Sequence, residues 1–90
     1  MAWFTCTVNN AGPASDANET PLPTIYINLT DQGGTFANKW FYAADNSKQQ
    51  MLAVALNAMT LGASVQMGGD PPNDNNNPFT RIDRLYLNAS

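Results

Sequence analysis

The sequence predicts a small, mostly-β domain, in which a mostly antiparallel sheet or barrel is packed by one helix. Five short stretches are rich in β-branched and aromatic residues. Between the third and the fourth, about fourteen residues have helical spacing, and Gly, Asn and Pro residues mark the turns. The predicted order is therefore β-β-β-α-β-β. A length of 90 residues allows one domain, which we assign to residues 1–90.

The first predicted strand covers residues 3–8. Phe4, Cys6 and Val8 alternate with Trp and Thr residues, so the two sets should face opposite sides of a sheet. The following stretch, residues 9–23, is rich in Asn, Ala, Gly, Pro and Ser and therefore indicates a loop.

The second predicted strand, residues 24–30, shows the clearest alternation. Its aliphatic side chains share the face expected to meet the core, which turns Tyr26 and Asn28 outward. Residues 31–34 form a turn, because their Gly pair suits a positive φ. The third predicted strand, residues 35–43, carries four aromatic residues.

The predicted helix covers residues 48–61. Ser47 stands at the N-cap position with Gln50 three residues later, which is the pattern of a capping box. Gly62 stands where a glycine commonly ends a helix. After Lys48 the helix contains no charged residue.

Two further strands complete the predicted fold, at residues 64–67 and 79–87. The loop between them, residues 68–78, carries Asp70, Asp74 and several Asn residues, whose oxygen atoms are ligands that Ca²⁺ accepts. The spacing is not that of an EF-hand, and we expect a solvated loop without a metal.

The helix is apolar nearly all round, which predicts burial on two sides. The sheet covers one side, and either a second copy of the chain or a groove of the same barrel covers the other. The first alternative predicts a homo-oligomer, and its candidate interface residues are Met51, Leu52, Ala55 and Met59.

Charge and composition exclude several classes of function. Four Lys and Arg residues against seven Asp and Glu give a net charge of −3, which disfavours nucleic acid and anionic membranes as partners. No apolar run is long enough for membrane insertion. The chain has no His and one Cys, and it shows no nucleophile–base pair and no phosphate-binding loop. We therefore expect no enzyme, no catalytic residue and no cofactor, and a structural role for Cys6.

The helix and the segment after it resemble one family. The run 48–62, the strand Val65-Gln66-Met67 and the acidic loop Asp70-Pro71-Pro72 are similar to the B subunits of subtilase cytotoxin and related pertussis-like toxins. The resemblance implies an OB-like antiparallel barrel, a ring of five copies whose helices line a pore, sugar-binding surfaces and, in some members, a catalytic A-type subunit. Those subunits contain disulfides, whereas this chain has a lone Cys6, and no sugar-contacting residue of theirs has a counterpart here.

The location follows from the same resemblance. The first residues lack the basic region and the apolar run of a signal peptide. Either the protein is cytosolic or a signal has been removed, and the resemblance favours a secreted or periplasmic protein.

Exposed aromatic and amide side chains suggest a sugar site, because Trp and Tyr combine a flat apolar surface with a polar tip. The candidates are Tyr26, Asn28, Asn38, Trp40, Tyr42 and Arg84. In the alternative arrangement, Trp40 and Tyr42 pack in the core and Phe41 faces out. Arg84 and its neighbours Arg81 and Asp83 either bind a carboxylate or form ion pairs within or between chains.

These observations predict a glycan-binding, lectin-like subunit of a ring-shaped homo-oligomer, such as the receptor-binding component of a toxin-like complex. The alternative is a structural or interaction subunit of a secreted or phage assembly that binds no sugar.

Overall fold

A computed structural model describes residues 2–14, 24–69 and 80–89. The elements are β1 (Ala2–Ala14), β2 (Thr24–Asp31), β3 (Lys39–Ala43), a 3-10 turn (Asp45–Ser47), α1 (Lys48–Leu61), β4 (Val65–Gly69) and β5 (Thr80–Leu87). The strands close into a barrel in the order β1-β2-β3-β5-β4. The predicted fold, a small mostly-β barrel with one helix, is confirmed, and its layout is OB-like.

One pair of strands corrects the expectation of an antiparallel barrel. β3 and β5 run parallel, whereas the other four neighbouring pairs are antiparallel. A closed ring with an odd number of strands cannot alternate direction throughout, so at least one pair must be parallel. The helical crossover after β3 makes this possible, because it returns the chain to β4 on the far side of β5.

The barrel interior is filled by the alternating apolar side chains of all five strands. Phe41 is fully buried while its neighbour Trp40 is 41% exposed, so the alternative in which Phe41 faces outward is wrong. The largest fully buried side chains are Phe41, Ile27, Leu29, Met67, Ile82, Val65 and Cys6.

The helix α1 contacts all five strands, which places it across one opening of the barrel. Met51 is 6% exposed and Ala55 is fully buried, and both belong to the core of their own chain. Their assignment to an oligomer interface is therefore wrong, because closing the barrel already uses this stripe of the helix. Leu52 is half-buried and Met59 is 36% exposed, so these two candidates retain accessible surface.

The two ends of α1 differ in how well the sequence predicts them. Gly62 adopts a left-handed conformation with φ 67°, and its N–H donates to the carbonyl of Ala58, as the C-terminal pattern predicts. Ser47 occupies the N-cap position, but its side chain makes no capping hydrogen bond. Its hydroxyl donates instead to Asn46 Oδ1 at 3.4 Å, so the predicted capping box is wrong. The 3-10 turn before the helix leads the chain into it without that cap.

The largest differences from the predicted strand boundaries are at the end of β1 and at the start of β3. β1 continues to Ala14, because residues predicted as loop pair with β2. β3 begins only at Lys39, because Asn38 has φ 53° and interrupts the extended backbone. Asp70 and Asp74, in the loop that we expect to be solvated and without a metal, lie outside the described residues.

Candidate functional site

The outer surface of β1, β2 and β3 brings together several predicted site residues. Asn28 on β2 lies directly opposite Asn10 on β1 and Trp40 on β3. Residues paired in this way point to the same side of a sheet. We call this surface the amide–tryptophan face and define it as Asn9, Asn10, Asn28, Thr30, Asn38 and Trp40.

A β-bulge in β1 places Asn9 at the centre of this face. The register with β2 shifts between Val8 and Asn10, so Asn9 has no partner in the ladder. Its Nδ2 donates to Asn28 Oδ1 and to Thr30 Oγ1, each at 2.8 Å. A longer contact of 3.2 Å joins the same nitrogen to Asn38 Oδ1. The bulge therefore links three strands through one amide group.

Asn38 enters the cluster through an uncommon backbone conformation. Its φ of 53° lies in the left-handed region, which Asn tolerates better than most residues. Its backbone N–H donates to Thr30 Oγ1 at 3.1 Å. Residues held in such conformations concentrate at functional sites, because the surrounding contacts must compensate for the strain.

Two residues of β2 that the sequence predicted to be exposed are nearly buried. Tyr26 and Asn28 are each 6% exposed, although Ile27 and Leu29 occupy the core side of the same strand. They lie on β2, the middle of the three strands, where neighbours on both sides cover an outward side chain. The prediction of their exposure is wrong, and Trp40, at 41% exposure, is the accessible aromatic residue. Tyr42, opposite Tyr26, is half-buried.

Arg84 belongs to a different surface of the barrel. It lies on β5 opposite Gly68 of β4, and Gly68 in turn lies opposite Trp3 of β1. Tyr86 stacks on Trp3 with ring centroids 5.9 Å apart and 23° between the planes. Arg84 Nη1 donates to the Tyr86 hydroxyl at 3.3 Å. We call Trp3, Arg84 and Tyr86 the aromatic-pair face.

Arg81, Asp83 and Arg84, near the C-terminus, take part in two separate sets of contacts. Arg81 Nε donates to Asp83 Oδ1 at 2.9 Å, which is an ion pair within one strand. Arg84 lines a cavity of about 370 Å³ together with Asp83, Tyr86 and the first turn of α1. The structure therefore separates Arg84 from the five other predicted sugar-binding residues.

The sequence analysis missed several residues of these faces, among them Asn9, Thr30 and Tyr86. Asn9 gave no signal, because a bulge cannot be seen in a sequence predicted as loop. Thr30 was detectable, since strand alternation places it on the same face as Asn28. Tyr86 was also detectable from its position between Leu85 and Leu87, but its stacking on Trp3 depends on barrel closure.

Two titratable groups flank the amide–tryptophan face without entering it. The backbone N–H of Thr35 donates to Asp31 at 2.9 Å and that of Gly33 at 3.1 Å, and these bonds lower the pKa of the carboxyl below its ordinary value. Burial, assisted by the charge of Asp31, raises the pKa of the Cys6 thiol to about 12. Cys6 is fully buried and stays protonated at neutral pH, which supports its predicted structural role.

The described residues place some limits on the chemistry. Among them, no group of three or more His, Cys, Asp or Glu residues is arranged to hold a metal ion. No helix within the described ranges is long and apolar enough to cross a membrane. No protein-family model, curated protein or solved structure matches this chain.

The amide–tryptophan face is built for hydrogen bonding and apolar contact. By its composition it offers amide and hydroxyl groups beside a half-exposed indole, and none of its six side chains carries a charge. This combination suits a neutral ligand that presents both polar groups and a flat apolar surface.

Proposed function

We propose that this chain is a glycan-binding, lectin-like subunit and that the amide–tryptophan face is its sugar site. The observation that carries the proposal is the exposed indole of Trp40 directly opposite an organised amide cluster around Asn28. A sugar ring has an apolar C–H surface that stacks on an indole and hydroxyl groups that bond to amides. The hydrogen bonds around Asn9 hold the cluster in place before a ligand arrives, which lowers the entropic cost of binding.

Fold-level analogy supports the same surface. OB-like barrels bind oligonucleotides and oligosaccharides on the face of their second and third strands. A net charge of −3 disfavours the phosphates of a nucleic acid and leaves saccharides as the better match.

The proposal includes self-association. One flank of α1 exposes Leu56 at 46% and Met59 at 36%, and Leu61, the last residue of the helix, is 62% exposed on a different side. Contiguous apolar surface on a small protein marks an interaction site, and a second copy of the chain is the occupant that the family resemblance suggests. By that resemblance the assembly is a secreted ring of five copies, which presents sugar sites and accepts a catalytic A-type partner.

A second function, an assembly subunit without sugar binding, is favoured by the aromatic-pair face. Trp3 is 46% exposed, Tyr86 50% and the adjacent Leu87 40%. Aromatic residues are enriched at protein interfaces, and three large apolar side chains are exposed together here.

The two functions are separated by a pair of matched Trp variants. Trp40→Ala and Trp3→Ala each remove one indole of similar exposure from opposite surfaces. We expect the unaltered protein to bind immobilised glycans and Trp40→Ala to lose about tenfold or more in affinity, as for a central binding residue. Trp3→Ala should bind as the unaltered protein does. Heteronuclear NMR of both variants verifies that each is folded.

Two results would contradict the proposed sugar site. Glycan binding that survives Trp40→Ala and fails in Trp3→Ala moves the site to the aromatic-pair face. A broad glycan array without any bound sugar, combined with an oligomeric mass in light scattering, supports the assembly function instead.

A further inference from the structure

We propose that the sugar carries a neutral carbonyl acceptor, as in an N-acetylhexosamine, and that the side-chain amides of Asn28 and Asn38 donate to it. This inference rests on the proposed glycan site and specifies its ligand. It follows from a count of the hydrogen-bond donors and acceptors on the amide–tryptophan face.

Three acceptor atoms of the cluster lie within reach of one amide nitrogen. Asn9 Nδ2 has two protons, and its shorter bonds go to Asn28 Oδ1 and Thr30 Oγ1 at 2.8 Å, with Asn38 Oδ1 at 3.2 Å. Each amide oxygen keeps a second lone pair. Thr30 Oγ1 accepts from Asn9 Nδ2 and also from the backbone N–H of Asn38. A hydroxyl oxygen has two lone pairs, so the remaining hydrogen-bonding capacity of Thr30 is its proton.

The donors of the same residues remain available. No described group accepts from Asn28 Nδ2, from Asn38 Nδ2 or from the Thr30 hydroxyl. Asn28 is only 6% exposed, and a buried donor without a partner is uncommon in a folded protein. The surface beside Trp40 therefore presents N–H and O–H groups that require an acceptor from a ligand.

The charges nearby indicate that the acceptor is neutral. Arg81, which lies opposite Tyr42 on β5, is already paired with Asp83 at 2.9 Å. Arg84 lies on the aromatic-pair face. Lys39 adjoins Trp40 in the chain, but it lies opposite the core residue Leu29 and therefore on the other face of β3. A carboxylate placed on the amide cluster would lose hydration without a cation of the described residues on the same face, which is costly. Among neutral sugar substituents, an amide carbonyl is a better acceptor than a hydroxyl.

The test compares sugars that differ at one group. N-Acetylglucosamine and glucose form one pair, and N-acetylgalactosamine and galactose form another. Each is titrated into the full ¹⁵N-labelled chain while the indole N–H of Trp40 and the side-chain amides of Asn28 and Asn38 are followed. We expect the acetamido sugar of at least one pair to bind about three- to tenfold more tightly, as one additional hydrogen bond predicts.

Isosteric variants identify the donors. Asn38→Asp keeps the oxygen that accepts from Asn9 but removes the amide donor, and it should bring the dissociation constants of the two sugars together. Asn28→Asp makes the same change at the buried position. Asn38→Asp alone keeps the test decisive if the buried variant does not fold. Asn57→Asp, on the exposed side of α1, adds the same charge elsewhere and should keep the preference.

The experiments distinguish a failure of the carbonyl preference from a failure of the proposed glycan site. Equal affinity for both members of each pair, with a shift at Trp40, overturns the carbonyl preference and leaves the glycan site in place. If Asn38→Asp retains the full preference, Asn38 is not the donor to the carbonyl, and that part of the inference is overturned. The absence of any shift at Trp40 with all four sugars and with a glycan array overturns the proposed function itself.

Discussion

The amide–tryptophan face and the aromatic-pair face each expose one Trp, but different interactions support it. Trp40 lies beside a polar cluster in which one amide nitrogen reaches three acceptors. Trp3 is held by stacking on Tyr86. An exposed aromatic residue is therefore not by itself a polar binding site. The arrangement of the groups around it decides which ligand it suits.

Both faces lie beside a β-bulge, and the two bulges have different effects. In β1 the extra residue is Asn9, which carries an amide into the surface. Between β4 and β5 the register shifts at Gly68 and Gly69. A Cβ on Gly69 would lie 3.0 Å from the carbonyl oxygen of Arg81, so this close approach of two backbones favours glycine. Because Gly68 lies opposite Trp3 and has no side chain, the indole can extend toward Tyr86.

The largest stability effect should come from removing the centre of the amide cluster. Asn9→Ala deprives Asn28 Oδ1 and Thr30 Oγ1 of their common donor, and Asn28 is nearly buried. We expect the free energy of unfolding to fall by about 1–3 kcal/mol. Urea denaturation measures it. Asn57→Ala, whose amide donates to the Ala53 carbonyl on the helix surface, is the control and should cost less than about 0.5 kcal/mol. Equal losses in the two variants would show that the cluster has no special structural role.

A smaller effect is expected on the opposite face. Tyr86→Ala removes the stacking on Trp3 and should cost about 0.5–1.5 kcal/mol in unfolding free energy, beyond the loss of buried area. Tyr86→Phe retains the ring and loses only the hydroxyl contact with Arg84, so it should be nearly neutral. Thermal unfolding compares the two. Glycan affinity should be unchanged in both, and its loss in Tyr86→Ala would show that the two faces are coupled.

Acid should produce the smallest and most local change. The pKa of Asp31 is lowered in the folded state, so its contribution to stability is complete above the ordinary carboxyl pKa. That contribution is lost as the pH falls below about 4 and through the lowered value. A protonated carboxyl still accepts hydrogen bonds, so the turn is weakened rather than lost.

Because Asp31 ends β2 next to Thr30, the NMR signals of Asn38 and Trp40 should move before that of Trp3. Asp31→Asn should remove this early step. An acid titration in which Trp3 responds first would contradict the assignment.

How far the sequence predicts the site depends on the residue. Strand alternation correctly places Ile27 and Leu29 inside, because side chains in a strand point to opposite faces in turn. It sets Trp40 and Phe41 on opposite faces of β3, but only the structure decides that Phe41 is the one in the core. The same alternation places Tyr26 and Asn28 outside, but it carries no information on what covers them. Their burial depends on neighbouring strands that are distant in sequence.

The sequence by itself determined the order of the elements, the bounds of α1 with its Gly62 terminus, and the alternation in β2. These features depend on interactions within a few residues, such as turn conformations and side-chain periodicity. The tertiary structure alone decided the parallel pair of β3 and β5, the bulge at Asn9 and the separation of Arg84 from Trp40. It also decided that Met51 and Ala55 close the barrel. Each of these follows from closing five strands into one ring, which sets residues far apart in the chain side by side.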